Sequence, residues 1–60
     1  MNTILAQDVK PGDVLIRDVG TYLIVEMVYR YTAYDGDRFE FWGTDGYVCE
    51  ACYDDEIVIE

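Results

Sequence analysis

TYLIVEMVYRY, residues Thr21–Tyr31, is the longest stretch of this 60-residue chain without a turn former. Its β-branched residues and three tyrosines suit a pleated, half-buried strand. In a helix the same side chains would lose rotamer freedom against the preceding turn. A strand of this length sets the frame of so short a chain. The remaining segments are expected to be shorter strands and tight turns fitted against it.

Turn chemistry places those neighbours. Lys10-Pro11-Gly12-Asp13 reads as a β-turn, with Pro11 presetting φ and Gly12 supplying the positive φ of a type II turn. Val14–Arg17 follows as a short strand, and Asp18-Val19-Gly20 turns the chain into the long one. Two later turns, Tyr34-Asp35-Gly36 and Thr44-Asp45-Gly46, share a pattern. A two-residue Asp35-Gly36 loop would put Phe39 and Phe41 on the face of Thr32 and Arg30. A three-residue loop shifts the pairing by one. Tyr31 then faces Phe39, Tyr29 faces Phe41, and Arg30 sits opposite Glu40 as a cross-strand ion pair. The same loop at Thr44-Asp45-Gly46 sets Cys49 against Phe41 and Ala51 against Phe39.

Both hairpins thereby agree on one apolar face: Leu23, Val25, Met27, Tyr29, Phe39, Phe41, Cys49 and Ala51. Val14, Ile16, Ile57 and Ile59 are expected to add to this core. Asp54-Asp55-Glu56 breaks the apolar pattern before a last strand, Ile57–Ile59. The expected fold class is all-β, in one domain spanning 1–60. It is an antiparallel meander of five short strands, strongly bent into a partial barrel that protects its edges.

Composition narrows the function. The chain is 52% hydrophobic and 15% aromatic, which supplies a real core and argues against disorder. No stretch reaches the roughly 18 apolar residues of a membrane span, and Met1–Ala6 does not read as a signal peptide. A soluble, cytoplasmic protein is expected. Thirteen Asp/Glu against four Lys/Arg give a formal net charge of −9. Binding to a phosphate backbone needs a basic surface, so direct nucleic-acid binding is disfavoured. Solubility alone, adaptation to a salty cytoplasm, and an acidic surface for a basic partner all remain open, the last including mimicry of nucleic acid.

Asp8-Val9-Lys10-Pro11-Gly12-Asp13-Val14-Leu15 resembles the opening of many SH3-like barrels, including KOW-type modules. There a hydrophobic-x-Pro-Gly-Asp-hydrophobic turn starts the first long strand. The length, the turn spacing and the acidic turn before a final Ile-Val-Ile strand are similar to small SH3-like barrel proteins of unknown function encoded by phages of actinobacteria. The resemblance implies an SH3-like partial barrel. KOW modules often bind RNA, or ribosomal and transcription proteins, and usually do so with basic residues. Only Lys10, Arg17, Arg30 and Arg38 are present here, so RNA binding does not carry over.

Catalytic chemistry lacks its parts. The chain has no histidine, no serine and no glycine-rich phosphate loop, so the expectation is no enzyme and no cofactor. Asp35/Asp37 and Asp54/Asp55/Glu56 cluster enough to hold a cation weakly, although turn chemistry alone accounts for Asp35 and Asp45. Cys49-Glu50-Ala51-Cys52 has the spacing of half a zinc site or a redox pair. In a continuous strand, however, Cys49 points inward and Cys52 outward, about 10 Å apart. Core-plus-surface thiols are therefore expected, with a metal or redox module as the alternative.

The outward face carries Tyr22, Ile24, Glu26, Val28, Arg30 and Thr32, beside Trp42 and Val48. In the register above, Val28, Trp42 and Val48 form one cross-strand row with Ile24 nearby. Glu26, Glu40 and Glu50 ring it, as a polar rim surrounds an aromatic anchor at an interface. Tyr31, Tyr34, Tyr47 and Tyr53 can extend the aromatic surface. A bent sheet or the Met1–Lys10 arm covering this row as a second small core is the alternative. The functional expectation is a non-enzymatic, acidic protein-interaction module for a basic partner. A self-assembling homodimer closed through the same row is the second expectation.

Overall fold

A computed structural model describes residues 2–18 and 20–60 of the chain. Its strands are β1 (Asn2–Leu5), β2 (Val14–Asp18), β3 (Thr21–Ala33), β4 (Gly36–Gly43), β5 (Val48–Cys52) and β6 (Glu56–Ile59). They form one antiparallel sheet in the order β1-β6-β2-β3-β4-β5, which does not close on itself. The all-β expectation holds, with six strands rather than five. β1 pairs with β6 from the far end of the chain, Asn2 opposite Ile59 and Leu5 opposite Glu56. A pairing of such long range leaves no hairpin signal near residue 2.

The N-terminal arm also feeds the core. After β1 a single 3-10 turn, Ala6–Asp8, is tied down by Ala6 N–H donating to Asp55 O at 2.9 Å. Ala6 and Val9 are buried, together with Leu15, Leu23, Val25, Phe39, Phe41 and Ala51. Ile4, Val28, Cys49, Ile57 and Ile59 pack against this cluster. Phe41, Leu23 and Val25 are the largest fully buried side chains, each worth about 1.5–3 kcal/mol of apolar burial. In β2 the buried residue is Leu15, opposite Leu23. Val14 and Ile16 pair with Ile24 and Tyr22 on the other face and are only half-buried, which corrects the expected core.

The β4–β5 hairpin has the expected register, Phe41 opposite Cys49 and Phe39 opposite Ala51. Gly43 N–H donates to Tyr47 O at 2.8 Å around the three residues Thr44, Asp45 and Gly46. The β3–β4 hairpin does not follow suit. Its flanking pair is Ala33 and Gly36, so the loop is Tyr34-Asp35 and the glycine lies outside it. Gly36 opens β4 with φ +124°, and a Cβ there would stand 2.9 Å from Tyr53 Cε1. The glycine answers a backbone conformation and a close ring contact at the start of the strand, not the left-handed position of a loop.

The consequence runs along both strands. Val28 faces Phe41, Tyr29 faces Glu40, Arg30 faces Phe39 and Tyr31 faces Arg38. Between Val25, opposite Gly43, and Met27, opposite Trp42, the ladder shifts by one at Glu26. This β-bulge reverses the alternation of β3 where the strand passes from β2 to β4. Leu23 and Val25 stay buried before it, whereas Met27 and Tyr29, expected inside, are 43% and 48% exposed beyond it. The expected Arg30–Glu40 ion pair is replaced by one from Arg30 to Asp37. At the other end of β4, Gly43 is buried, and a Cβ there would lie 2.9 Å from Leu23 Cγ. Val19, within the expected Asp18-Val19-Gly20 turn, lies outside the described residues, and Gly20 has φ +78°.

Candidate functional site

The outer face of β3, β4 and β5 is built from three cross-strand rows. Met27, Trp42 and Val48 make the first, Tyr29, Glu40 and Glu50 the second, and Tyr31, Arg38 and Cys52 the third. The bulge at Glu26 decides which β3 residues stand here. Val28 is withdrawn from the expected surface, since it lies opposite Phe41 and packs on the core. Met27 takes its place beside Trp42. Ile24 is half exposed but pairs with Val14 on the part of β3 that adjoins β2, outside the rows.

Trp42 is the middle residue of the first row. The ring of Tyr29 meets it edge-on, with centroids 6.1 Å and planes 73° apart. Its indole Nε1 donates to Glu40 Oε1 at 3.4 Å. Val48 on the next strand is 42% exposed. The N-terminal arm does not cover this face: its Ala6 and Val9 pack into the core cluster, and Met27, Trp42 and Val48 stay exposed. The expectation of a second small core under the arm is corrected on that ground.

Two carboxylates of the expected rim, Glu40 and Glu50, stand together in the second row. Glu50 accepts a hydrogen bond from Tyr31 Oη at 2.9 Å and lies 3.6 Å from Arg38 Nη1. Arg38 also donates to both oxygens of Asp35, at 3.0 and 3.2 Å. This hydrogen bond, with the nearby positive charge, holds the Asp35 carboxyl below its ordinary range. The hydrogen bond to ionised Glu50, followed by desolvation and the charges of Glu50 and Glu40, pushes the Tyr31 hydroxyl upward. Glu26 is exposed at the bulge without a residue paired across from it. Arg38 and Arg30 are thus committed to carboxylates of this chain, and Arg17 lies over the Tyr47 ring at 5.0 Å. The face keeps an excess of negative charge.

Cys49 and Cys52 are both free and half-buried. Cys49 lies across from buried Phe41 and Cys52 across from Arg38. One strand therefore presents the two thiols on opposite faces. No group of three or more His, Cys, Asp or Glu side chains among the described residues is arranged to hold a metal ion. No helix among the described residues is long and apolar enough to cross a membrane.

Met27, Tyr29 and Tyr31 belong to the face although the sequence pattern assigned Met27 and Tyr29 to the core. The bulge that exposes them has no local signature in TYLIVEMVYRY, where Glu26 and Arg30 mark the set that also holds Val28 as the outward one. Tyr34 is fully exposed in its loop, and Tyr53 packs over Gly36 rather than joining the rows. No family model, curated protein or solved structure matches the chain.

Proposed function

We propose that the protein is a non-enzymatic interaction module that binds a basic protein surface through the outer face of β3, β4 and β5. The observation that carries this proposal is the exposed row Met27–Trp42–Val48, joined by Tyr29 and flanked by Glu40 and Glu50. Tryptophan, tyrosine and methionine are enriched where proteins meet, and a central aromatic residue inside a polar rim is the usual site of strong binding. Negative charge around it speeds encounter with a positive partner and rejects an acidic one. A partner that ordinarily holds nucleic acid presents such a basic surface, so competition with nucleic acid is one form this role takes.

Affinity purification with tagged wild type, Trp42→Ala and Glu40→Lys tests the role. A partner held by the wild type is expected to be lost, or weakened at least tenfold, with each variant. An unchanged set of recovered proteins would contradict it. Light scattering in parallel separates the role from self-association: a dimer dissolved by Trp42→Ala would assign the row to a second copy instead.

A further inference from the structure

The sheet leaves β5 paired on one side only, and its hydrogen bonds identify the free groups. Tyr47 O accepts from Gly43 N–H and Tyr53 N–H donates to Asp37 O. Residues 47, 49, 51 and 53 therefore turn their main-chain groups toward β4, and Val48, Glu50 and Cys52 turn theirs away. Cys52 is already satisfied: its N–H donates to Asp55 Oδ2 at 2.9 Å and its carbonyl accepts from Asp55 N–H at 3.0 Å. Val48 and Glu50 have no such cover among the described turn and loop hydrogen bonds. Beyond them lies a cleft of about 390 Å³, its walls including Leu15, Arg17, Phe41, Cys49, Ala51 and Ile57. That volume is within the roughly 300–1,000 Å³ of ligand-binding clefts. β2 and β6 pair at Leu15 and Ile59, and Ile16, Arg17, Ile57 and Val58 line the cleft on that side.

We propose that an extended segment of a basic partner lies in this seam as an added antiparallel strand on β5. The proposal rests on the interaction role above and names how the partner is held. Val48 and Glu50 offer two donors and two acceptors to such a strand, the ordinary basis of recognition by strand addition. Successive side chains of the added strand alternate between the two faces. Those facing inward reach Phe41, Cys49 and Ala51 and must be apolar. Those facing outward lie beside Val48 and Glu50, on the face where Trp42 and Glu40 continue the surface, and are best lysine or arginine. Glu56 on the cleft wall makes no ion pair or side-chain hydrogen bond among the described residues, and the chain as a whole carries −9. A second copy pairing edge to edge would bring two such chains and their Glu50 carboxylates together, so charge complementarity selects a basic strand.

The probe is an eight-residue peptide alternating lysine and valine, titrated into the full chain, with a glutamate–valine peptide as control. A third peptide carries N-methyl groups on the lysines, whose N–H groups face β5 in this pairing. The lysine–valine peptide is expected to bind and to slow amide hydrogen exchange at Val48 and Glu50 at least tenfold. The methylated peptide is expected to lose at least tenfold in affinity, and the acidic one not to bind. Binding without protection at Val48 and Glu50, equal binding of the methylated peptide, or no binding of the parent peptide overturns strand addition. In the first two cases the face proposed above still stands if Trp42→Ala weakens the peptide. Protection at Val48 and Glu50 that Trp42→Ala leaves intact supports strand addition and removes Trp42 from the interface.

Discussion

Tyr29 and Trp42 meet edge to face on the outer surface of the sheet, 6.1 Å between ring centroids. The pair exists because β3 bulges at Glu26. Without that extra residue the pairing of Val25 with Gly43 would run on, setting Trp42 opposite Glu26 and keeping Tyr29 on the face of Leu23 and Val25. One backbone irregularity therefore turns an expected core tyrosine into half of an exposed aromatic pair. It also brings Met27 into line with Trp42 and Val48.

Adjacent aromatic residues on β4 should then answer truncation very differently. Phe41 is fully buried and Trp42 is 37% exposed. Phe41→Ala is expected to cost about 3–5 kcal/mol, enough to unfold most of so small a domain. Trp42→Ala forfeits an exposed aromatic pair worth about 0.5–1.5 kcal/mol and some partial burial, and stays folded. Urea denaturation followed by far-ultraviolet circular dichroism checks both. Comparable losses would place Trp42 in the core.

Gly36 tests the β3–β4 register. Its φ of +124° and the Tyr53 ring 2.9 Å from an added Cβ predict that Gly36→Ala destabilises by about 1–3 kcal/mol. Tyr53→Ala in the same chain should recover the part due to the ring contact and leave the backbone part. A neutral Gly36→Ala would mean that the loop is arranged differently from Tyr34-Asp35.

The Tyr31–Glu50 hydrogen bond predicts an alkaline limb in stability. Folding raises the Tyr31 hydroxyl above its ordinary value of 10.0. Its contribution is accordingly complete below pH 10 and is lost as pH rises through the folded-state value. Spectrophotometric titration should show a tyrosine ionising above the ordinary value, and Tyr31→Phe should abolish that late step. Asp35 works at the other end. Its lowered carboxyl contributes above the unfolded carboxylate range and is lost as pH falls through the folded-state value. Both groups are exposed, so each effect should shrink in high salt.

The β4–β5 hairpin was legible because Thr44-Asp45-Gly46 uses its glycine inside the loop, where turn chemistry predicts register. Tyr34-Asp35-Gly36 has the same letters, but its glycine serves the first position of β4 against Tyr53, and nothing local distinguishes the two. The bulge escaped for a related reason. Polarity points the wrong way here, since Glu26 and Arg30 flank Val28, which packs on the core, whereas Met27 and Tyr29 face out. β1 escaped because its partner lies more than fifty residues away. Of the expected face, Trp42, Val48, Glu40 and Glu50 were readable from the correct hairpin. Met27 and Tyr29 required the backbone, as did the seam beside β5, which forms only when β2, β5 and β6 come together.

Trp42 is the only tryptophan of the chain, so its fluorescence reports directly on the face assigned to the partner. The decisive measurement is its emission during titration with a partner recovered by affinity purification. Burial of the indole should shift the emission to shorter wavelength, with an affinity that weakens at least tenfold on Glu40→Lys and falls as salt is raised. A partner that binds tightly while the Trp42 emission and its salt response stay unchanged would contradict the account.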